Sequence, residues 1–265
     1  MTKAKSDDEI VDIILNESKK IQDILNFTFL TKFAEAHNIN PDNNKFFAKQ
    51  EVVAKRGYFM PVKKKYGLHI VNAEGTPCNK QDIKGMVTRR SDYPAYTKEK
   101  IKELLVYILT TEKISFKWIR DFIKNEEDII RLKCMNGEKI VAKPVGWKKG
   151  LNEYVKIPSH IFGMQLWNNL EYNYFLKGTK GYQFKILGMD QYAIPDRIKK
   201  NADKIHGRNN IAIPYEEETL PDYYRIDVDS MVELAWGKRV RELFEPIWDK
   251  IDRRAGIQKV TEATF

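Results

Sequence analysis

A chain of 265 residues, 42% of them hydrophobic, can bury a core in one large domain or two small ones. Its 46 Lys and Arg against 37 Asp and Glu leave a net charge of +9, which favours an acidic partner, nucleic acid being the commonest. The start MTKAKSDDEI has no apolar signal-peptide core, no apolar run is long enough to span a bilayer, and Cys78 and Cys134 read as two buried thiols in a reducing, cytoplasmic setting, so membrane residence is not expected.

Ser6-Asp7-Asp8-Glu9 is a capping-box pattern and predicts a helix through Ile10, Ile13, Ile14, Ile21, Ile24 and Leu25. A second helical stretch, Leu30 to Ala36, stops before Asn40-Pro41. Phe46, Phe47, Val52 and Val53 are strand formers, so residues 46–58 are expected to be extended. Met60-Pro61 interrupts them, and a strand over Lys63–Val71 follows, with Tyr66, Leu68 and Ile70 on one face. Glu74-Gly75-Thr76-Pro77 is a turn. A short strand from Lys84 runs into Arg89-Arg90 and is stopped by Pro94.

Thr97 is placed to cap a helix with Ile101, Leu104, Leu105, Ile108 and Leu109 on one side. Ser115 is placed to cap another, with Trp118, Ile119, Phe122 and Ile123 inward. Residues 136–157 are rich in turns and in lysines: Lys139, Lys143, Lys148, Lys149 and Lys156. A helix after Pro158 bears Ile161, Met164, Leu166, Trp167 and Leu170. Short strands are expected at Tyr182–Ile186 and Ile211–Ile213, then a final helix capped by Asp227 or Asp229 and kinked at Pro246. The fold class is α+β. A small antiparallel sheet with helices occupies residues 1–95, a mainly helical part with short strands occupies 96–252, and 253–265 form a flexible tail.

No complete catalytic centre is present. His37, His69, His160 and His206 are scattered and form no metal-ligand spacing. The acid pairs Asp7-Asp8 and Glu126-Glu127 and the run Glu216–Glu218 lie in polar stretches and read as surface charge. The basic features are stronger. Lys63-Lys64-Lys65 precedes Tyr66 at a strand start, which suits either a polyphosphate grip or a hairpin end blunted against edge pairing. Arg89-Arg90 is flanked by Thr88 and Ser91, hydroxyls that also contact phosphate, while Asp92 offers the arginines an internal ion pair instead. Lys148-Lys149 reads equally as a solvated loop.

In this order the segments resemble family B DNA polymerases. Lys63-Lys64-Lys65-Tyr66 resembles the family's Lys-Lys-x-Tyr motif at the junction of palm and thumb, and Lys49–Phe59 resembles the palm strand leading into it. Asp82–Met86 and Thr88–Pro94 resemble the strand that enters the thumb. Ile157–Gly163 with Trp167-Asn168 resembles a thumb helix of the phage branch, Gly178–Tyr182 the strand after it, and Asp227–Pro246 the closing helix. The likeness spans roughly residues 8 to 250. The family's two metal-binding aspartate segments, its fingers helix and its exonuclease acids have no counterpart here. The resemblance therefore implies the C-terminal piece of a divided polymerase: the distal palm over 1–95 and the thumb over 96–252.

On that resemblance the chain grips primer–template duplex through Lys63, Lys64, Lys65, Tyr66, Lys84, Arg89, Arg90, Ser91, Lys143, Lys148, Lys149 and His160. It holds no metal and no cofactor itself. Mg belongs to a second polymerase chain carrying exonuclease, fingers and palm aspartates. Residues 10–25 and 46–71 are expected to dock on that chain, and Gln258–Phe265 is a candidate sliding-clamp peptide. The other reading is a standalone basic, non-catalytic nucleic-acid-binding module.

Overall fold

The computed structural model describes residues 6–40, 43–86, 92–148, 150–171, 175, 180–200 and 209–251, with Asn152 described by its backbone alone. The fold is α+β. The chain divides into two units: residues up to Phe59 with Lys64–Lys84 and Ile108–Thr111 form one, and Met60–Lys63, Gly85–Tyr107 and the rest from Glu112 form the other.

In the first unit, Ser6 starts helix α1 (Asp7–Ile24) through a reciprocal cap. Its hydroxyl accepts from Glu9 N–H at 3.3 Å and its own N–H donates to the Glu9 carboxylate at 2.8 Å. A π turn, Leu25–Leu30, carries the chain into α2 (Thr31–Ala36). Three antiparallel strands follow, in the order β1 (Val52–Phe59), β2 (Tyr66–Ala73), β3 (Thr76–Lys84). Residues 46–50, expected to be extended, form no strand. Asn26, in the π turn, holds both polar groups of the Ala48 backbone, at 2.7 and 2.9 Å, and Gln22 accepts from Gln50 N–H at 3.0 Å. Side-chain amides thus replace a ladder there.

Two further readings of this region are corrected. The lysines sit in the β1–β2 turn, because pairing starts only at Tyr66 opposite Phe59. Strand β3 ends at Lys84, and most of the short strand expected from there into Arg89-Arg90 lies outside the described residues. The turn shrinks to Glu74-Gly75, both at positive φ, which lets Thr76 pair at once with Ala73. The unit's apolar side chains are poorly covered. No side chain of α1 is buried, and Ile21, Ile24, Phe27, Phe29 and Phe47 are each more than half exposed. Closing water off from one such side chain would contribute about 1 kcal/mol.

The second unit has the larger core. Pro94 leads directly into α3 (Ala95–Thr110), whose Ile101, Leu104 and Leu105 are fully buried. Thr97 does not cap this helix. It lies buried within it, and its hydroxyl donates to the Ala235 carbonyl at 2.8 Å. Helix α4 (Phe116–Met135) is capped by Ser115, as the residues predict, and buries Ile119, Ile130 and Cys134. Trp118 was expected inward; it is 38% exposed, stacked between Tyr107 and Phe122.

Strands β4 (Lys143–Val145), β5 (Gly181–Met189) and β6 (Asn210–Pro214) form a second antiparallel sheet, with β7 (Tyr224–Ile226) on the far half of β5. Helix α5 (Ser159–Glu171) packs closely on β6 at Gly163, where an added Cβ would meet backbone atoms of Ile211 and Ala212 at 3.0 Å. The short helix α6 (Asp196–Lys199) follows β5. Asp227 caps α7 (Val228–Val232) by accepting from Ser230 N–H at 3.0 Å. A π turn joins it to α8 (Lys238–Phe244). At Pro246 the chain tightens into a 3-10 turn before α9 (Trp248–Ile251), where the missing N–H interrupts the α pattern.

Candidate nucleic-acid interface

One end of the first sheet concentrates the basic and aromatic residues. Its last rung reads Phe59–Tyr66–Lys84 across β1, β2 and β3. The Phe59 and Tyr66 rings lie 6.2 Å apart, and the Lys84 ammonium stands 5.8 Å from the Tyr66 ring centre on the other side. Asp82, two residues earlier on the same face of β3, pairs with Lys84 at 3.2 Å. Asp82, and then Tyr66, hold the Lys84 ammonium above its ordinary pKa. Lys64 and Lys65 enter this rung from the turn. Lys64 is exposed and has φ +63°, a backbone state that a lysine adopts only at a cost of about 1 kcal/mol. Lys65 is half-buried, and Lys63, exposed, precedes them.

A second basic group lies in the other unit. Lys143 on β4 is close enough to His160, in the first turn of α5, to disfavour its protonation. Burial is the larger cause of the lowered His160 pKa, and a hydrogen bond to the Gly146 backbone opposes both. Lys148 is exposed, but its backbone is fixed: its N–H donates to the Tyr154 hydroxyl at 3.0 Å. Trp147 beside it packs edge-on against Phe175 at 5.4 Å. Both aromatics rest on the cluster of Val145, Ile161, Met164 and Ala212. Lys148 therefore projects from an anchored loop.

Of the residues picked from the sequence, Lys64, Lys65, Tyr66 and Lys84 come together, and Lys143 and His160 come together. Arg89, Arg90, Ser91 and Lys149 lie outside the described residues. Lys139 is engaged internally, donating to Glu218 at 2.7 Å and to the Tyr215 carbonyl at 2.8 Å. Two residues were missed. Phe59 needed the hairpin register to be seen. Asp82 was visible in principle, since acid and lysine two apart on a strand share a face.

Several acids of the described residues are engaged in internal contacts. Glu126, read as surface charge, is buried on the inner side of α4. It accepts from the Tyr96 hydroxyl at 2.7 Å and pairs with Lys100 at 3.4 Å. Its helical phase carries it inside, and those partners make burial tolerable. Asp229 pairs with Arg131 at 2.6 Å. Among the described residues no three His, Cys, Asp or Glu side chains converge as metal ligands, and no helix is long and apolar enough to cross a membrane. Cys134 is buried, which pushes its thiol up to about 12, while Cys78, expected buried, is half-buried. Comparison with known proteins finds no family model and no curated protein that matches the chain.

Proposed function

We propose that this chain is the duplex-gripping C-terminal subunit of a split family B DNA polymerase and carries none of the catalytic aspartates. The observation behind this reading is the terminal rung of the first sheet. Lys64 and Lys65 lead into Tyr66, and Lys84 stands over its ring. Lysines whose backbone is held at a sheet end can meet phosphate oxygens without the cost of ordering a loose tail. Such contacts read the backbone and not the bases, so affinity is salt-sensitive and largely independent of sequence.

The second chain supplies the exonuclease, the fingers and the aspartates that hold Mg. When bound there, the metal stabilises the in-line displacement at the primer end, and this chain's part is to keep the duplex in position. The exposed isoleucines and phenylalanines of the first unit favour a two-chain assembly over a standalone module, which would leave them in water. We place the assembly in the cytoplasm, of an infected cell if the chain is phage-encoded, with Gln258–Phe265 as the segment offered to a sliding clamp.

The test is primer extension. The purified chain alone should incorporate no nucleotides. Mixed with a chain from the same source that carries both aspartate motifs, it should raise extension and slow dissociation from duplex. Incorporation by this chain alone overturns the reading.

A further inference from the structure

Helix α1 runs for 18 residues and buries none of its side chains. Its half-buried stripe is Val11, Leu15, Ser18 and Gln22, spaced as one helical face. The isoleucines are offset from that stripe, and Ile10 and Ile14 remain 44% and 42% exposed. Between them and the strand residues Val53 and Val71 lies a cleft of about 780 Å³. Asp8 and Asp12 line it as well, and neither has an ion-pair partner among the described residues. Asp7, beside them, is neutralised by Lys55.

This cleft opens over the half of the sheet away from the lysine turn. The Val53–Asn72 pair borders it about 20 Å along the strand from Phe59–Tyr66, and Lys55 and His69 line its near side, about 10 Å from that rung. Cations thus gather at one end of this small sheet, while toward the other Asp8 and Asp12 of α1, without ion-pair partners among the described residues, stand over a largely apolar floor beside Lys55. The carboxylates repel phosphate, so the cleft suits neither a duplex nor an anionic membrane surface. Isoleucine and valine walls call for an apolar occupant, and the acidic rim calls for positive charge at its margins.

We propose that the cleft between α1 and strands β1 and β2 receives an apolar segment, flanked by lysine or arginine, from a second protein chain. The proposal rests on the two-chain reading above and names where that second chain sits and what it presents. Protein docking and duplex contact then use opposite halves of one sheet, and both partners can be held at once.

The probe is a short fluorescent peptide of isoleucine and valine flanked by lysines, with a twin in which glutamate replaces lysine. Each is titrated against the full chain without DNA, and anisotropy is followed. The lysine-flanked peptide should bind about tenfold tighter than its twin. Asp8→Lys combined with Asp12→Lys should reverse that order. Ile14→Asp should abolish binding, with circular dichroism unchanged because Ile14 is already exposed. Equal binding of the two peptides, or none, overturns the proposal. Self-association in sedimentation that Ile14→Asp removes would assign the cleft to a second copy of this chain and also overturns it. So does peptide binding that emerges only after residues 252–265 are deleted, since the occupant would then be the chain's own tail. With no DNA present, these outcomes are independent of the duplex grip, which fails separately if Lys64→Ala leaves duplex affinity unchanged.

Discussion

Removing one ammonium from the lysine turn measures the grip directly. Lys64 is exposed and has no ion-pair partner among the described residues, so nothing in the described structure competes for its charge. A lysine that neutralises one phosphate contributes about 0.9 to the slope of log K against log salt. Carried from the 1 M reference to roughly 0.15 M salt, that slope is a factor of about 5 in affinity, or ~1 kcal/mol. Lys64→Ala should therefore lose about fivefold and flatten the salt dependence by about 0.9. Lys84 should respond differently, because the Asp82 carboxylate at 3.2 Å already shares its charge. Lys84→Ala should lose less than Lys64→Ala, and Asp82→Asn, which releases the ammonium, should bind more tightly than the wild type. The assay is anisotropy of labelled duplexes of two unrelated sequences across a salt series. A Lys64→Ala chain that keeps the wild-type slope, or that loses affinity for one sequence only, refutes the positional role.

Three other outcomes follow from the same geometry. Lys64→Gly relieves the φ +63° backbone while giving back about 0.5–1 kcal/mol of glycine entropy, so thermal stability should hold or rise slightly as duplex affinity falls; a marked drop in Tm would contradict the turn conformation. Gly163→Ala forces a methyl against the backbone of β6, which cannot swing aside, and should destabilise by about 1–3 kcal/mol in urea unfolding. An unchanged midpoint would rule out that close approach. His160 has a folded pKa below its ordinary 6.5, through burial first and Lys143 second, so the unfolded chain takes up the proton first as pH falls. Its contribution is complete above pH 6.5 and is lost as pH falls through the lower folded value; the wild type should lose more Tm over that window than His160→Asn, and parallel profiles would disprove it.

The features read correctly from the residues are those written in close neighbours. The Ser6–Glu9 cap, the Ser115 cap and the apolar spacing of Ile161, Met164 and Trp167 each depend on contacts within one or two turns. The α+β class followed from the same local signals. Thr97 shows the limit. Its residue type and position match a cap, but Pro94 already starts the helix, and a carbonyl 138 positions away takes the hydroxyl. Glu126 shows it again, since an acid in a polar run went inside once Tyr96 and Lys100 were there to satisfy it.

The candidate site divides in the same way. The sequence on its own established the lysine run, the tyrosine beside it and the amphipathic first helix, because composition and periodicity are properties of a short stretch of chain. It left open which residues share a rung with Tyr66, and whether the isoleucines of that helix would be covered. Strand register brought Phe59 and Lys84 to either side of the ring, and the sparse packing of α1 on the sheet left Ile10 and Ile14 lining an open cleft. Register and burial are settled by pairings between distant segments, whose energies depend on the whole unit closing at once.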